Sequence, residues 1–193
     1  MLIIVSGPDR VGKSTLIARL VDVLGKDNCL EMHHSAPPRN QGSIFDFYKD
    51  DILRWINTSG KGYCIFDRAW PCSYILEQFR RNNLGHLEDL IELELWINDV
   101  VADGVVHVGQ FRPWHWSAPL HVEELKDEAQ HEDGDWFIRD QYITRMQEHE
   151  VYQTQLIDFY ERVTMFPNVQ LTDSQSPEDV LAMCKDALMR SGR

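Results

Sequence analysis

GPDRVGKST, Gly7 to Thr15, is the stretch whose reading decides the fold. It follows the apolar run Leu2 to Val5. It precedes Leu16, Ile17, Leu20, Val21 and Leu24, which are spaced for one face of a helix. A buried strand, a glycine-bounded loop and a helix, in that order, turn backbone N–H groups around an anion, and the helix N-terminus adds its dipole. The spacing G-x-x-x-x-G-K-S is met at Gly7, Gly12, Lys13 and Ser14. In such a loop the lysine reaches the outer phosphates of a nucleotide, and the hydroxyl after it can ligate Mg2+. Asp9 and Arg10 go beyond what backbone cradling requires. A guanidinium beside a transferring phosphoryl group would stabilise its spread-out charge. The alternative, that both side chains face solvent, stays open.

Outward from the loop, strands and helices alternate. Cys29–Met32, Tyr63–Phe66, Val105–Val108 and Val169–Leu171 read as further strands. Ile44–Ile56, Ser73–Phe79, Leu87–Val101, Phe137–Val163 and Pro177–Met189 read as helices. His33 to Gly42, with two prolines and a glycine, reads as a loop. The alternation predicts an α/β three-layer sandwich with a five-stranded parallel sheet. From Pro113 to Asp135 the periodicity dissolves. Between His121 and Asp135 seven acids face Lys126 alone, half the net charge of −12. This segment reads as a solvated helix or loop, or as a mobile lid, at about 113–140. Residues 1–193 are expected to form one domain.

The second informative segment is FDRAW, Phe66 to Trp70. In open α/β sheets, ligands bind beyond the carboxyl ends of the strands. Asp67 there could hold Mg2+ or accept a proton, and Arg68 could clamp an acceptor phosphate. Trp70 is the leading candidate among the aromatic residues for stacking on an acceptor base. RPWHW, Arg112 to Trp116, either borders the site or anchors the lid. Gln141, Arg145 and Glu148 read as a helix face, either solvated or lying near the lid. His33 and His34 invite a metal reading, but no third ligand lies at useful spacing.

The net charge disfavours a nucleic-acid backbone as partner without excluding a local basic cleft. Cys29, Cys64, Cys72 and Cys184 show no metal or redox spacing and read as free thiols of a reducing compartment. No apolar run approaches membrane-spanning length, so the cytoplasm of a cell or of a phage-infected host is expected.

Taken together, GPDRVGKST and YCIFDR resemble the P-loop and the Asp-Arg segment of thymidylate kinases, in the type that carries Asp-Arg before the second glycine. The chain is also similar to compact deoxynucleoside monophosphate kinases of bacteriophages. The resemblance implies a P-loop NTPase-type fold with a helical lid, and ATP and Mg2+ as cofactors. Gly7, Gly12, Lys13, Ser14 and Thr15 would hold the ATP phosphates. Lys13, Arg10 and Asp67 would be catalytic, and Ser14 and Asp67 would organise the metal. Asp9, Arg39 and Arg68 would meet the acceptor, with Trp70 beside them. A lid without arginine between Pro113 and Ile138 agrees with an arginine supplied by the loop. The family's Arg-Glu-Pro segment reads HHSAPPR here, and its thymine-reading helix has no counterpart. The resemblance therefore implies ATP-dependent transfer to a nucleotide 5′-phosphate and leaves the base open. The alternatives are a deoxynucleoside kinase, a kinase of hydroxymethylated bases in DNA, and an ATP-binding regulatory module without turnover. A homodimer is not excluded.

Overall fold

The computed structural model describes residues 1–33, 43–58, 61–80, 87–129 and 134–192. Five strands, β1 (Leu2–Ser6), β2 (Cys29–His33), β3 (Tyr63–Asp67), β4 (Val105–Gln110) and β5 (Asn168–Leu171), form one sheet in the order β2-β3-β1-β4-β5. Every pairing is parallel. The strand β1, which leads into the glycine-bounded loop, is therefore central. Its residues Leu2, Ile3, Ile4 and Val5 are all fully buried, as a strand covered on both faces must be.

Alternation along β1 divides the core in two. Ile3 and Val5 point to one face, where they meet α1 (Lys13–Leu24) and α7 (Pro177–Arg190). Leu2 and Ile4 point to the other. There they meet α2 (Ile44–Ile56), α3 (Trp70–Arg80), α4 (Leu87–Val100) and α6 (Gly134–Arg162). This is the expected three-layer sandwich. Ser176 caps α7, its side chain accepting from the Asp179 N–H, and Pro177 opens the first turn.

The structure refines two sequence readings. Of the helix and loop readings open for the segment from Pro113, the helix holds: Trp114–Ala129 forms α5, which lies against α6. Pro119 inside it and its many charged residues masked the helical period. The third helix begins at Trp70, not Ser73, with Pro71 in its first turn. That earlier start turns the Trp70 ring inward.

Trp70 is fully buried, edge-on to Tyr48, Phe66 and His107. Its indole N–H donates to Glu94 Oε1 at 2.9 Å. The same carboxylate accepts from Thr164 Oγ1 at 2.7 Å and from the Met165 N–H at 2.8 Å. Trp70 thus offers no face to an acceptor base, and its stacking role is withdrawn. It joins α3 to α4 and to the turn before β5. Burial alone would raise the Glu94 pKa, but His107, 3.7 Å away, and the hydrogen bonds from Met165 and Thr164 hold it below the usual value. A depressed folded pKa stabilises the native state above the unfolded value near 4.5, and that stability is lost as pH falls through the folded value. Glu94→Ala strands three donors in the core and is expected to cost about 3–5 kcal/mol, read by denaturant unfolding at neutral pH. A loss below about 1 kcal/mol would contradict the anchoring role.

Candidate active site

The carboxyl ends of β1 and β3 bring the two sequence motifs together. Val5 and Asp67 are partners in register, so the loop after β1 faces the Asp-Arg pair after β3. Gly7 has φ 156°, and a Cβ there would lie 2.6 Å from the Gln110 carbonyl oxygen of β4. The loop can sit this close to the sheet only with glycine. Gly12, at φ 91°, precedes α1 and turns the chain into the helix.

Lys13 is buried, and its Nζ donates to the Pro8 carbonyl at 2.5 Å across the loop. Burial first, and then the charge of Arg68, pull its pKa below the ordinary value. An ammonium so placed is under-compensated, and anionic phosphate would relieve it. Ser14 Oγ donates to Asp67 Oδ2 at 3.3 Å. Asp67 is buried, and its Oδ1 has no hydrogen-bond partner among the described residues. An orphaned carboxylate oxygen beside a hydroxyl is a hard-oxygen donor set that suits Mg2+.

Arg10 and Arg68 both adopt positive φ, 61° and 64°. Such backbone is uncommon for a side chain with a Cβ. Arg68 pairs with Asp9. Burial would raise the Asp9 pKa, but the neighbouring Arg68 overrides it and keeps the group ionised. Arg10 pairs with Glu124 of α5 at 2.6 Å, and Arg145 of α6 reaches the same oxygen at 2.7 Å and Glu128 at 2.9 Å.

Two cavities flank the loop. A larger one, of about 610 Å3, is lined by Asp9, Arg10, Arg68 and Glu124 together with α6 residues including Arg145 and Tyr152. A smaller one, of about 220 Å3, is lined by Gly12, Thr15, Arg19, Arg112, Trp116 and Gln175 among others. Arg10 belongs to both. Arg112 bonds Ser174 Oγ at 2.9 Å, and its guanidinium lies 4.5 Å from the Trp116 ring centroid. The RPWHW segment therefore both borders a cavity and opens α5.

Of the sequence candidates, Gly7, Asp9, Arg10, Gly12, Lys13, Ser14, Thr15, Asp67 and Arg68 lie at one end of the sheet. Arg39 and His34 fall outside the described residues. Arg145, half-buried, and Glu148, exposed, line the larger cavity beside α5, as the lid-side reading of that face expects. Sequence reasoning missed His121, Glu124, His149 and Tyr152. The signal was available: Arg145, Glu148, His149 and Tyr152 are spaced i, i+3, i+4, i+7 along α6, one helix face. His121 and His149 are buried, and that burial lowers the pKa of each.

No protein-family model and no curated protein sequence matches the chain. The chain shares its fold with many solved structures. Polyphosphate kinase 2 from Arthrobacter aurescens TC1 superposes with a TM-score of 0.68 at 12% identity, over 99% of this chain and 67% of its own. The putative polyphosphate kinase 2 from Pseudomonas aeruginosa PA01 gives 0.60 at 16% identity, over 98% of this chain and 41% of its own. The chain thus spans less than half of the second protein. What the chain shares with both is the fold, a five-stranded parallel sheet between layers of helices. No described helix is long and apolar enough to cross a membrane.

Proposed function

We propose that the protein is an ATP-dependent phosphotransferase that moves the γ-phosphoryl group to a nucleoside monophosphate. One observation carries the reading: Arg10 lines both cavities, so a single guanidinium faces a donor on one side and an acceptor on the other. In this reading the smaller cavity takes the donor nucleoside beside Arg112 and Trp116. The loop Gly7–Thr15 wraps its phosphates, and Lys13 leaves the Pro8 carbonyl to meet them. Ser14 and Asp67 would hold Mg2+, which neutralises charge on the donor's terminal phosphates when bound. The larger cavity takes the acceptor. Arg68 and Arg145 bind its phosphate, and Asp9 accepts from its sugar hydroxyl. The helix α5 is the lid, tied to the loop through Glu124, and its closure excludes water.

The step balances simply. An acceptor phosphate oxygen bonds to the γ-phosphorus as the bond to the β–γ bridging oxygen breaks, and the nucleoside diphosphate leaves. A phosphate acceptor is already ionised and needs no base. A nucleoside hydroxyl would need one, and Asp9, held acidic by Arg68, is a weak base. This favours the monophosphate over the deoxynucleoside. A polyphosphate acceptor, which the neighbours' name brings to mind, is disfavoured because Asp9, Glu124 and Glu148 oppose the three cavity arginines. The acceptor base is left open, because the thymine-reading helix of the resembled family has no counterpart here.

The test is ATP consumption with Mg2+ against deoxynucleoside monophosphates, free nucleosides, polyphosphate, and DNA with normal and hydroxymethylated bases. Turnover confined to monophosphates supports the reading. Turnover confined to any other class replaces the acceptor, and ATP binding without turnover replaces the function with that of a binding module. Arg68→Ala is expected to raise the acceptor KM about 10- to 100-fold, the worth of a charged hydrogen bond, while the ATP KM stays put. An unchanged acceptor KM would remove Arg68 from the acceptor site.

A further inference from the structure

In sequence, His33 lacks companions for a metal. Folding supplies them. The strands β2 and β3 are adjacent and parallel, and His33 and Asp67 are partners in register at their carboxyl ends. His33 Nδ1 lies 2.9 Å from Asp67 Oδ2, and Ser14 Oγ lies 3.3 Å from that same oxygen. An octahedral ion with ligand bonds near 2.1 Å separates adjacent ligands by about 3.0 Å. Both contacts to Asp67 Oδ2 thus have about the length that separates neighbouring ligands of one ion. Asp67 is 4% exposed, and its other oxygen has no partner among the described residues, so the carboxylate is under-used where it stands. The His33 side chain is 65% exposed.

Among the described residues no three His, Cys, Asp or Glu side chains form a metal cluster by themselves. An ion held here must bring further oxygen ligands, and the phosphates cradled by the neighbouring loop supply them. The geometry points to His33 as the third protein ligand, with Ser14 and Asp67, of the divalent cation carried by the bound nucleotide, and to a site that prefers Mn2+ over Mg2+. Mg2+ binds oxygen almost exclusively, whereas an imidazole nitrogen favours first-row transition ions. The inference rests on the nucleotide-binding reading of the loop. Its competitor is an ordinary ion pair, His33 on Asp67, with no bond to metal.

Pulsed electron paramagnetic resonance on the full chain with Mn2+ and ADP separates the two. The expected result is a nitrogen coupling from one directly bound imidazole, which changes on labelling with 15N-histidine. It should vanish in His33→Ala and persist in His115→Gln, which removes an exposed histidine of α5. Mn2+ affinity in the presence of ADP should fall at least about tenfold in His33→Ala, since loss of even an outer-shell partner of a metal ligand costs about that much. Mg2+ affinity should change far less. Should His33→Ala fail to fold, His33→Gln, which keeps a polar side chain but removes the imidazole, makes the same assignment. No imidazole coupling in the wild type, its persistence in His33→Ala, or no binding of Mn2+ with ADP would each overturn the inference. The readout does not depend on turnover. Imidazole coupling in a protein that transfers no phosphoryl group would leave the ligand assignment standing and sink the kinase reading. Transfer with Mg2+ but without coupling would do the reverse.

Discussion

Arg10→Ala is expected to lower kcat by about 10³-fold or more, the range over which arginines that stabilise phosphoryl transfer act. The argument is positional. Arg10 is the residue shared by the two cavities, and Glu124 and Arg145 hold the ion-pair network that fixes it there. The fold should survive. Arginine and alanine both carry a Cβ, so the positive φ at this position is no worse for the variant. The lost pair with Glu124 is partly exposed at both ends and is worth under about 1 kcal/mol. Arg10→Lys keeps the charge but loses the fork, and should recover only part of the rate. Measured kcat within about twofold of wild type in Arg10→Ala, at saturating ATP and acceptor, would remove the residue from the mechanism.

Lys13→Ala is expected to cost about 10²- to 10³-fold in kcat, as does the loss of a preorganised donor to developing charge. Its effect on stability should go the other way. In the free protein the ammonium is buried, satisfied by one carbonyl, and its pKa is pulled down by burial and by Arg68. Removing it relieves that penalty. The free variant should therefore melt no lower than the wild type, while the stabilisation conferred by added ATP shrinks. A variant that melts much lower, or that turns over normally, would contradict the account.

The fold was legible because its signals are local. The apolar run Leu2–Val5, the loop at Gly7–Thr15 and the stripe from Leu16 to Leu24 each carry a period or a motif, and parallel order follows from their alternation. The core of the site was legible for the same reason: both motifs sit at carboxyl ends of strands. What stayed hidden depends on packing. Trp70 looked like a site aromatic because it follows Asp67-Arg68. The indole turns inward because α3 starts there and Glu94, from α4, offers its N–H a buried acceptor. Glu124 and Arg145 looked like surface charges because α5 meets α6 across a gap in sequence that no period reports. His33 was passed over because strand register, not spacing, brings it to Asp67.

The most direct measurement is 31P NMR of ATP and Mg2+ incubated with the protein, first alone and then with each deoxynucleoside monophosphate in turn. The account predicts little change with ATP alone. With the right acceptor it predicts ADP together with a new diphosphate of the acceptor, in equal amounts and without inorganic phosphate. Inorganic phosphate formed at the same rate with or without acceptor would contradict it, because the cavity beside Arg10 would then be admitting water rather than an acceptor.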